Sequence, residues 1–176
     1  MKPWVPIAAL ALALSPLTVI HPVHISGRSM EPSLHDGELV WALWAWCSGT
    51  PERGELWLVK GPEGMSVKRT VGLPTEQIEA KGGEIFINGL PLSEPYVELS
   101  DQFTGSWACR DGYLMLGDNR SQSHDGRAWG PLPKSALQSR VVGFERRNPK
   151  NQTRSFTAPP APQPLDFRRE SGSPLL

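Results

Sequence analysis

Hydrophobic and polar positions divide the 176-residue chain into three parts. Residues 1–20 are almost entirely apolar, with Lys2 as the one charged side chain. Residues 21–145 alternate short apolar runs with turn-forming residues, and residues 146–176 are polar and rich in proline. This pattern predicts an apolar N-terminal segment, one folded domain and a disordered tail.

The apolar N-terminal segment has two interpretations. From Trp4 to Ile20 its length as a helix would be about 25 Å, slightly short of the ~30 Å hydrocarbon core of a bilayer, and it contains Pro6 and Pro16. A membrane anchor is therefore marginal but feasible. Ala11-Leu12-Ala13 instead fits the small-x-small site of a cleavable secretory signal.

The central part has the pattern of short β-strands. Lys81-Gly82-Gly83 and Asn88-Gly89 separate apolar runs at the spacing of hairpins. Only residues 134–139 have a helical pattern. We therefore predict a mainly β fold, an antiparallel sheet or barrel. The predicted strands are residues 38–46, 56–59, 67–71, 77–80, 84–87, 112–116 and 141–144.

Tryptophan is the one unusual feature of the composition, with seven residues in the chain. Trp41, Trp44, Trp46 and Trp57 lie in two neighbouring segments, and residues 41–46 are apolar on both faces of a strand. Such a strand can face lipid, where tryptophan is enriched, or it can fill a core. Both interpretations remain open.

Charge and cysteine content argue against several classes of function. The 18 basic and 18 acidic side chains balance, so nothing indicates a nucleic-acid partner. Cys47 and Cys109 have no further cysteine or histidine at metal-ligand spacing, and we predict neither metal nor cofactor. A disulfide between them requires a proximity that sequence does not establish.

Ser29-Met30-Glu31-Pro32 is the first motif with possible chemistry. Pro32 disfavours a helical Glu31, so Ser29 is expected on an extended or turning segment that can present its hydroxyl. A match this short is more often an exposed loop serine. Lys68, in the motif Ser66-Val67-Lys68-Arg69, is a possible base for the serine.

Histidine is the alternative base, because Ser-His-Asp is the commoner hydrolase arrangement. None of the candidates, His24, His35 and His124, stands in a known motif. The residues around Ser29 lack the second glycine of a nucleophile elbow, and the β pattern also opposes an α/β-hydrolase. A histidine base remains the minor alternative.

Further motifs follow in a fixed order and end in Leu116-Gly117-Asp118-Asn119-Arg120. From Ser26 to about Gly143 the chain resembles bacterial type I signal peptidases, serine/lysine peptidases of the S26 family. The matching segments are residues 29–34 with 36–37, 53–56, 67–74, 87–92 and 116–120, then Ser123, Asp125, Arg127 and residues 129–133.

The resemblance implies roles for individual residues. Ser29 would be the nucleophile, Lys68 the general base, and Ser123 a hydroxyl that orients the lysine. The supporting residues would be Asp125 and Arg127, which can pair, and Gly117, while Met30 is a guess for the pocket wall. The backbone N–H of Ser29 would stabilise the oxyanion. Some family members place a hydroxyl side chain where this chain has Gly27, so the second oxyanion donor is open.

A lysine base must be neutral, and Lys68 has a plausible way to become so. With an ordinary pKa of about 10.4, a neutral lysine at pH 7.5 costs about 4 kcal/mol. Burial can supply a pKa shift of that size. Val67 and Val71 flank Lys68 with apolar bulk, and strand alternation directs Arg69 to the opposite face.

The family implies a membrane-bound serine endopeptidase that cleaves signal peptides from secretory preproteins, preferably after small side chains. It also favours a retained single-pass anchor in the cell membrane. Lys2 would keep the N-terminus cytoplasmic and place the catalytic domain on the extracytoplasmic side. Two alternatives remain: a catalytically inert membrane-tethered β module, and a self-cleaving repressor-type serine/lysine peptidase, although the latter carries a DNA-binding domain where this chain is apolar.

Overall fold

A computed structural model of the protein describes residues 19–98 and 101–143. These residues form ten strands and one short helix, α1 (Gly126–Trp129). In chain order the strands are β1 (Ile20–His24), β2 (Leu39–Trp44), β3 (Leu56–Gly61), β4 (Gly64–Gly72), β5 (Gln77–Lys81), β6 (Glu84–Ile87), β7 (Leu90–Pro91), β8 (Gly105–Ala108), β9 (Leu114–Leu116) and β10 (Leu137–Val142). Three 3₁₀ turns accompany them: Ala45–Cys47, Arg120–Gln122 and Lys134–Ala136.

The strands form two antiparallel sheets. The larger sheet has the order β1-β2-β10-β3-β4-β9, and the smaller has the order β7-β6-β5-β8. In the larger sheet β4 pairs with β3, where Lys68 lies opposite Trp57, and with β9, where Arg69 lies opposite Leu116. This register brings the end of β9, and the loop that follows it, beside the middle of β4.

The two sheets share one apolar core. It joins residues of β4 and β9 to residues of β5 and β6: Val71, Leu114 and Leu116 with Ile78, Ala80 and Ile85. Gly72 lies at the junction, where an added Cβ would stand 2.6 Å from the Cys109 sulfur and 2.9 Å from Ile78. Only glycine allows this close approach.

A second core cluster fixes the segment that carries the Ser-Met-Glu-Pro motif. Met30 and Leu34 are almost completely buried there against Val40 of β2 and Val67 of β4. Val40 and Ala42 face this core, whereas Leu39 and Trp41 on the other face of β2 are exposed. Period-two alternation thus separates a core face from an apolar outer face.

The prediction of a mainly β antiparallel fold is confirmed. The predicted helix at residues 134–139 is wrong: a 3₁₀ turn ends at Ala136, and β10 begins at Leu137. Leu137, Ser139 and Val141 are buried alternately, so burial in the sheet overrides a local helical pattern. Residues 45 and 46, the end of the predicted strand 38–46, instead belong to the 3₁₀ turn Ala45–Cys47.

Three strands were not predicted: β1, the two-residue β7 and β8. β1 contains Pro22, which is tolerated because the strand lies at the edge of its sheet.

Among the described residues no helix is long and apolar enough to cross a membrane. The predicted anchor lies outside them except for its last two residues, and the predicted tail lies outside them entirely. Cys47 and Cys109 are both free thiols.

Candidate active site

Ser29 lies in a turn between β1 and β2. The N–H of Leu34 donates to the carbonyl of Met30 at 2.9 Å, and both side chains are buried, which fixes the turn to the core. The N–H of Asn119 donates to the carbonyl of Ser29 at 3.1 Å. The backbone of Ser29 is therefore held by the core on one side and by the loop after β9 on the other.

The side chain of Lys68, on β4, contacts this turn. Its side chain is 3% exposed, and its Nζ hydrogen-bonds to Ser29 Oγ at 2.8 Å. Burial lowers the pKa of Lys68 below its ordinary value, against the opposing effect of Asp125 and Asp118, while Arg127 lowers it further. The structure thus brings together a serine hydroxyl and a buried amine biased toward its neutral form.

Arg69, the next residue on β4, points to the other face and is also buried. Its Nε and Nη2 donate to the two carboxylate oxygens of Asp118 at 2.8 and 2.6 Å. Nη2 also donates to Ser33 Oγ at 3.0 Å, and Nη1 to the carbonyl of Gly54. This arginine ties β4 to the serine-bearing turn and to the loop after β9.

Asp125 and Arg127 form an ion pair at the start of α1. The Asp125 Oδ1 accepts from Arg127 Nε at 2.8 Å and caps the helix by accepting from Arg127 N. Asp125 Oδ2 accepts from the N–H of Gly117 at 2.9 Å. The Arg127 Nη2 donates to the carbonyls of Arg120 and Ser123, so the pair holds the whole loop between β9 and α1.

Gly117 packs directly against the backbone of Ser29. A Cβ at this position would lie 2.6 Å from the carbonyl oxygen of Ser29 and 2.2 Å from Ser123 Oγ, so only glycine fits. Ser123 Oγ is buried and has no hydrogen-bond partner among the described residues. The predicted hydrogen bond from Ser123 to Lys68 is therefore not formed here. The Ser123 hydroxyl and the Ser29 carbonyl nevertheless both lie next to Gly117.

The histidines considered as bases lie elsewhere. His124 is exposed, and its Nε2 lies 3.4 Å from Glu63 Oε1. His24 and His35 are exposed as well. No histidine in the described part of the chain hydrogen-bonds to Ser29, and that part holds no group of His, Cys, Asp or Glu that could bind a metal ion.

Comparison with known proteins decides the family. The family model described as "Signal peptidase, peptidase S26" matches residues 1–144. The chain belongs to this signal peptidase family. Membership makes it a serine endopeptidase of signal-peptide processing, and the alternatives of an inert β module and a repressor-type peptidase fall away.

Individual relatives agree with the family match. Signal peptidase I of Leptolyngbya laminosa is 29% identical over 153 residues, which cover 78% of this chain and 73% of the relative. Signal peptidase I of Bacillus amyloliquefaciens is 31% identical over 140 residues, covering 70% and 76%. Signal peptidase IB of Staphylococcus aureus strain N315 is 30% identical over 145 residues, with the same coverage. The crystal structure of a signal peptidase I from Enterococcus faecalis V583 has a TM-score of 0.43 and 27% identity, and covers 55% of this chain and 97% of its own.

The structure also shows the environment of Met30 and Gly27, two positions considered in the sequence of this signal peptidase. Met30 is 1% exposed and belongs to the core beneath the turn, so any contact with substrate would be through a small part of its surface. Gly27 has a φ of +93°, a conformation that favours glycine, and its N–H donates to Asp36 Oδ1 at 2.8 Å. The backbone at residue 27 thus explains why a hydroxyl side chain is absent there.

Sequence reasoning missed two contributors to the site. The N–H of Asn119 binds the carbonyl of Ser29, which no side-chain pattern could reveal. Tyr96 lies over the Arg69 guanidinium at 4.0 Å from the ring centroid, and neighbouring Glu94 pairs with Arg120. The segment Glu94-Pro95-Tyr96 has no pattern that links it to residues 69 and 120, because these contacts span the two sheets.

Proposed function

We propose that this signal peptidase cleaves signal peptides from secretory preproteins with Ser29 as nucleophile and Lys68 as general base. One observation carries the assignment: the buried Nζ of Lys68 lies 2.8 Å from Ser29 Oγ. This distance is within reach for direct proton transfer, and a depressed lysine pKa is the ordinary way to activate such a nucleophile.

The chemistry follows from that geometry. Neutral Lys68 accepts the proton of Ser29 as Oγ attacks the scissile carbonyl, and the resulting ammonium gives the proton to the leaving amine. The acyl-serine is then attacked by water, whose proton passes to Lys68 and returns to Ser29 Oγ as the ester breaks. The N–H of Ser29 would donate to the oxyanion, where a preorganised donor is worth about 10²–10³ in rate.

Burial, rather than the surrounding charges, favours the neutral form of Lys68. Asp118 and Asp125 would raise its pKa, but each carboxylate is already paired, with Arg69 and Arg127 respectively. Burial therefore remains the dominant influence, and it lowers the pKa. The two ion pairs supply structure to the site without turning Lys68 into a permanently charged partner.

The outer face of the larger sheet supports a position on the membrane. We define the apolar edge as Ile20 of β1, Leu39 and Trp41 of β2, and Trp46 of the following turn, all of them exposed. Trp46 is 76% exposed, and tryptophan is favoured at the boundary between lipid and water. We propose that this edge contacts the lipid bilayer, with residues 1–20 as a retained anchor and the catalytic domain on the extracytoplasmic side.

The test is cleavage of a purified secretory preprotein in detergent by wild type and three variants. Ser29→Ala and Lys68→Ala should each abolish cleavage, and the exposed His124→Ala should leave it unchanged. If Lys68→Ala stays active while His124→Ala is inactive, the base is a histidine and the assignment is wrong. Failure of the wild type to cleave any preprotein would contradict the proposed substrate class.

A further inference from the structure

The smaller sheet reaches the catalytic site through one buried ion pair. Glu94 lies in residues 92–98, which follow β7, and Arg120 lies in the 3₁₀ turn that follows β9. The Nη2 of Arg120 is 2.5 Å from Glu94 Oε1, and the two side chains are 0% and 9% exposed. A charge pair in such a dry environment is sensitive to the loss of either member.

Glu94 is the carboxylate partner of Arg120 in the part of the chain that the structure describes. The Nη1 of Arg120 is buried with no hydrogen-bond partner there. Tyr96 donates its hydroxyl to Glu94 Oε1 at 2.9 Å, and its pKa is raised, chiefly by burial, so the phenol keeps its proton for this bond. Glu94 is therefore itself held in place and determines where the guanidinium can sit.

Arg120 in turn holds Gly117. Its Nε donates to the carbonyl of Gly117 at 3.0 Å, while Asp125 accepts from the N–H of the same residue. Gly117 is thus fixed on both sides of its Cα. Because a Cβ at this position would overlap Ser123 Oγ and the Ser29 carbonyl oxygen, a displacement of Gly117 toward Ser29 would press on the backbone of the nucleophile.

We propose that Glu94 is a positioning residue for catalysis, which acts through Arg120 to fix Gly117 against Ser29 and Ser123. The proposal rests on the assignment of Ser29 as nucleophile. Glu94 touches no reacting atom, so its loss should lower kcat and leave KM nearly unchanged. A misplacement of about 1 Å costs up to about 10²-fold in rate, and a partial shift correspondingly less.

A purely structural role for Glu94 predicts a different result. If the carboxylate only neutralises a buried arginine, removing both charges should restore stability and activity together. If the pair positions Gly117, the double variant Glu94→Leu/Arg120→Met should recover stability but not rate, because the Gly117 carbonyl has lost its donor. The double variant therefore separates the two roles.

The experiment measures kcat, KM and the thermal midpoint with a purified preprotein that has an Ala-x-Ala cleavage site, in detergent micelles. Glu94→Gln keeps the size of the side chain and an acceptor for Tyr96, and serves as the mildest variant. Glu98→Gln is the matched control, since Glu98 is exposed and has no ion-pair partner among the described residues. Ser29→Ala is included to test the assignment on which the proposal depends.

We expect Glu94→Gln to lower kcat about 10-fold with KM within about twofold, and the double variant to stay at least about 10-fold low at a restored thermal midpoint. Glu98→Gln should match wild type. Wild-type kcat in Glu94→Gln, or full recovery of kcat in the double variant, would overturn the positioning role. Retained activity in Ser29→Ala would instead overturn the nucleophile assignment, so the two failures are distinguishable.

Discussion

Lys68 and Arg69 are neighbouring buried basic residues on one strand, and their hydrogen-bond partners differ. Arg69 makes two hydrogen bonds to the carboxylate of Asp118, whereas Lys68 has a hydroxyl, Ser29 Oγ, as its hydrogen-bond partner. A guanidinium stays charged at any pH that proteins tolerate, so its burial requires a matching anion. The lysine can lose its proton instead, and its depressed pKa shows the direction that burial favours.

One face of β4 carries a structural ion pair, and the other face carries the amine that contacts Ser29. The face of Arg69 is a closed network in which each charge is matched. The face of Lys68 leaves one amine with no carboxylate at ion-pair distance, among the described residues, and that amine reaches the serine. The same period-two alternation that builds the sheet therefore directs two adjacent basic side chains to different roles.

The largest expected effect comes from making residue 68 like residue 69. Lys68→Arg keeps the positive charge and the length but removes the ability to deprotonate, so the rate should fall by about 10³-fold or more. Preprotein cleavage in detergent measures it, with Lys60→Arg on the exposed side of β3 as the control. Substantial activity in Lys68→Arg would show that residue 68 is not the general base.

The second prediction compares stability after each cation is replaced by methionine. Arg69→Met leaves Asp118 buried and unpaired, and should lower the free energy of unfolding by about 3–5 kcal/mol. Lys68→Met removes an amine with no carboxylate partner and should be neutral or stabilising. Denaturant unfolding measures both, and a larger loss in Lys68→Met than in Arg69→Met would contradict the contrast.

The pH dependence of stability sharpens that comparison. Because the folded pKa of Lys68 lies below its ordinary value of 10.5, the folded state binds fewer protons than the unfolded state between those two values. Wild type should therefore gain stability relative to Lys68→Met as pH rises through this window, and lose it as pH falls. Unfolding free energies measured across that range test the sign, and the opposite slope would mean a raised pKa.

A smaller loss is expected from Gly117→Ala. The added methyl would overlap Ser123 Oγ and the carbonyl oxygen of Ser29, so the loop or the nucleophile must shift. A shift of that kind predicts a fall of about 10²-fold in kcat with little change in KM. Steady-state cleavage measures the two constants, and a wild-type kcat would show that the nucleophile does not depend on this contact.

The smallest effect on catalysis should come from the apolar edge. Trp46→Ser should reduce binding to phospholipid vesicles by about 10-fold, because an exposed tryptophan no longer enters the interface. Its kcat in detergent should equal that of wild type. Met65→Ser, at an equally apolar exposed position on β4 outside the edge, is the control, and equal vesicle binding by both variants would contradict a membrane role for the edge.

Much of the fold was predictable because burial follows local patterns. Short apolar runs such as those of β5 and β6, separated by glycine-rich turns, predicted an antiparallel β protein. The first half of β10, residues 137–139, was mistaken for part of a helix because the tertiary pairing with β2 and β3, not local propensity, decides its conformation. β1 escaped detection because a proline-containing edge strand has no distinctive pattern.

The candidate site was predictable only in part. Family motifs led to Ser29 and Lys68, which lie 39 positions apart yet share a hydrogen bond. The motifs did not lead to Glu94, whose contact with Arg120 joins the two sheets. They also did not predict that Ser123 Oγ has no hydrogen-bond partner among the described residues. Both depend on the packing of distant segments, and a linear pattern contains no information on that packing.

The most direct test of the account is an NMR titration of Lys68 itself, with labelled lysine side chains and Lys68→Met to assign the signal. We expect a midpoint below the ordinary 10.5, and an amine that is neutral over the pH range in which the enzyme cleaves preproteins. A midpoint at or above 10.5 in the folded, active protein would contradict it, because Lys68 would then be a charged structural partner like its neighbour Arg69.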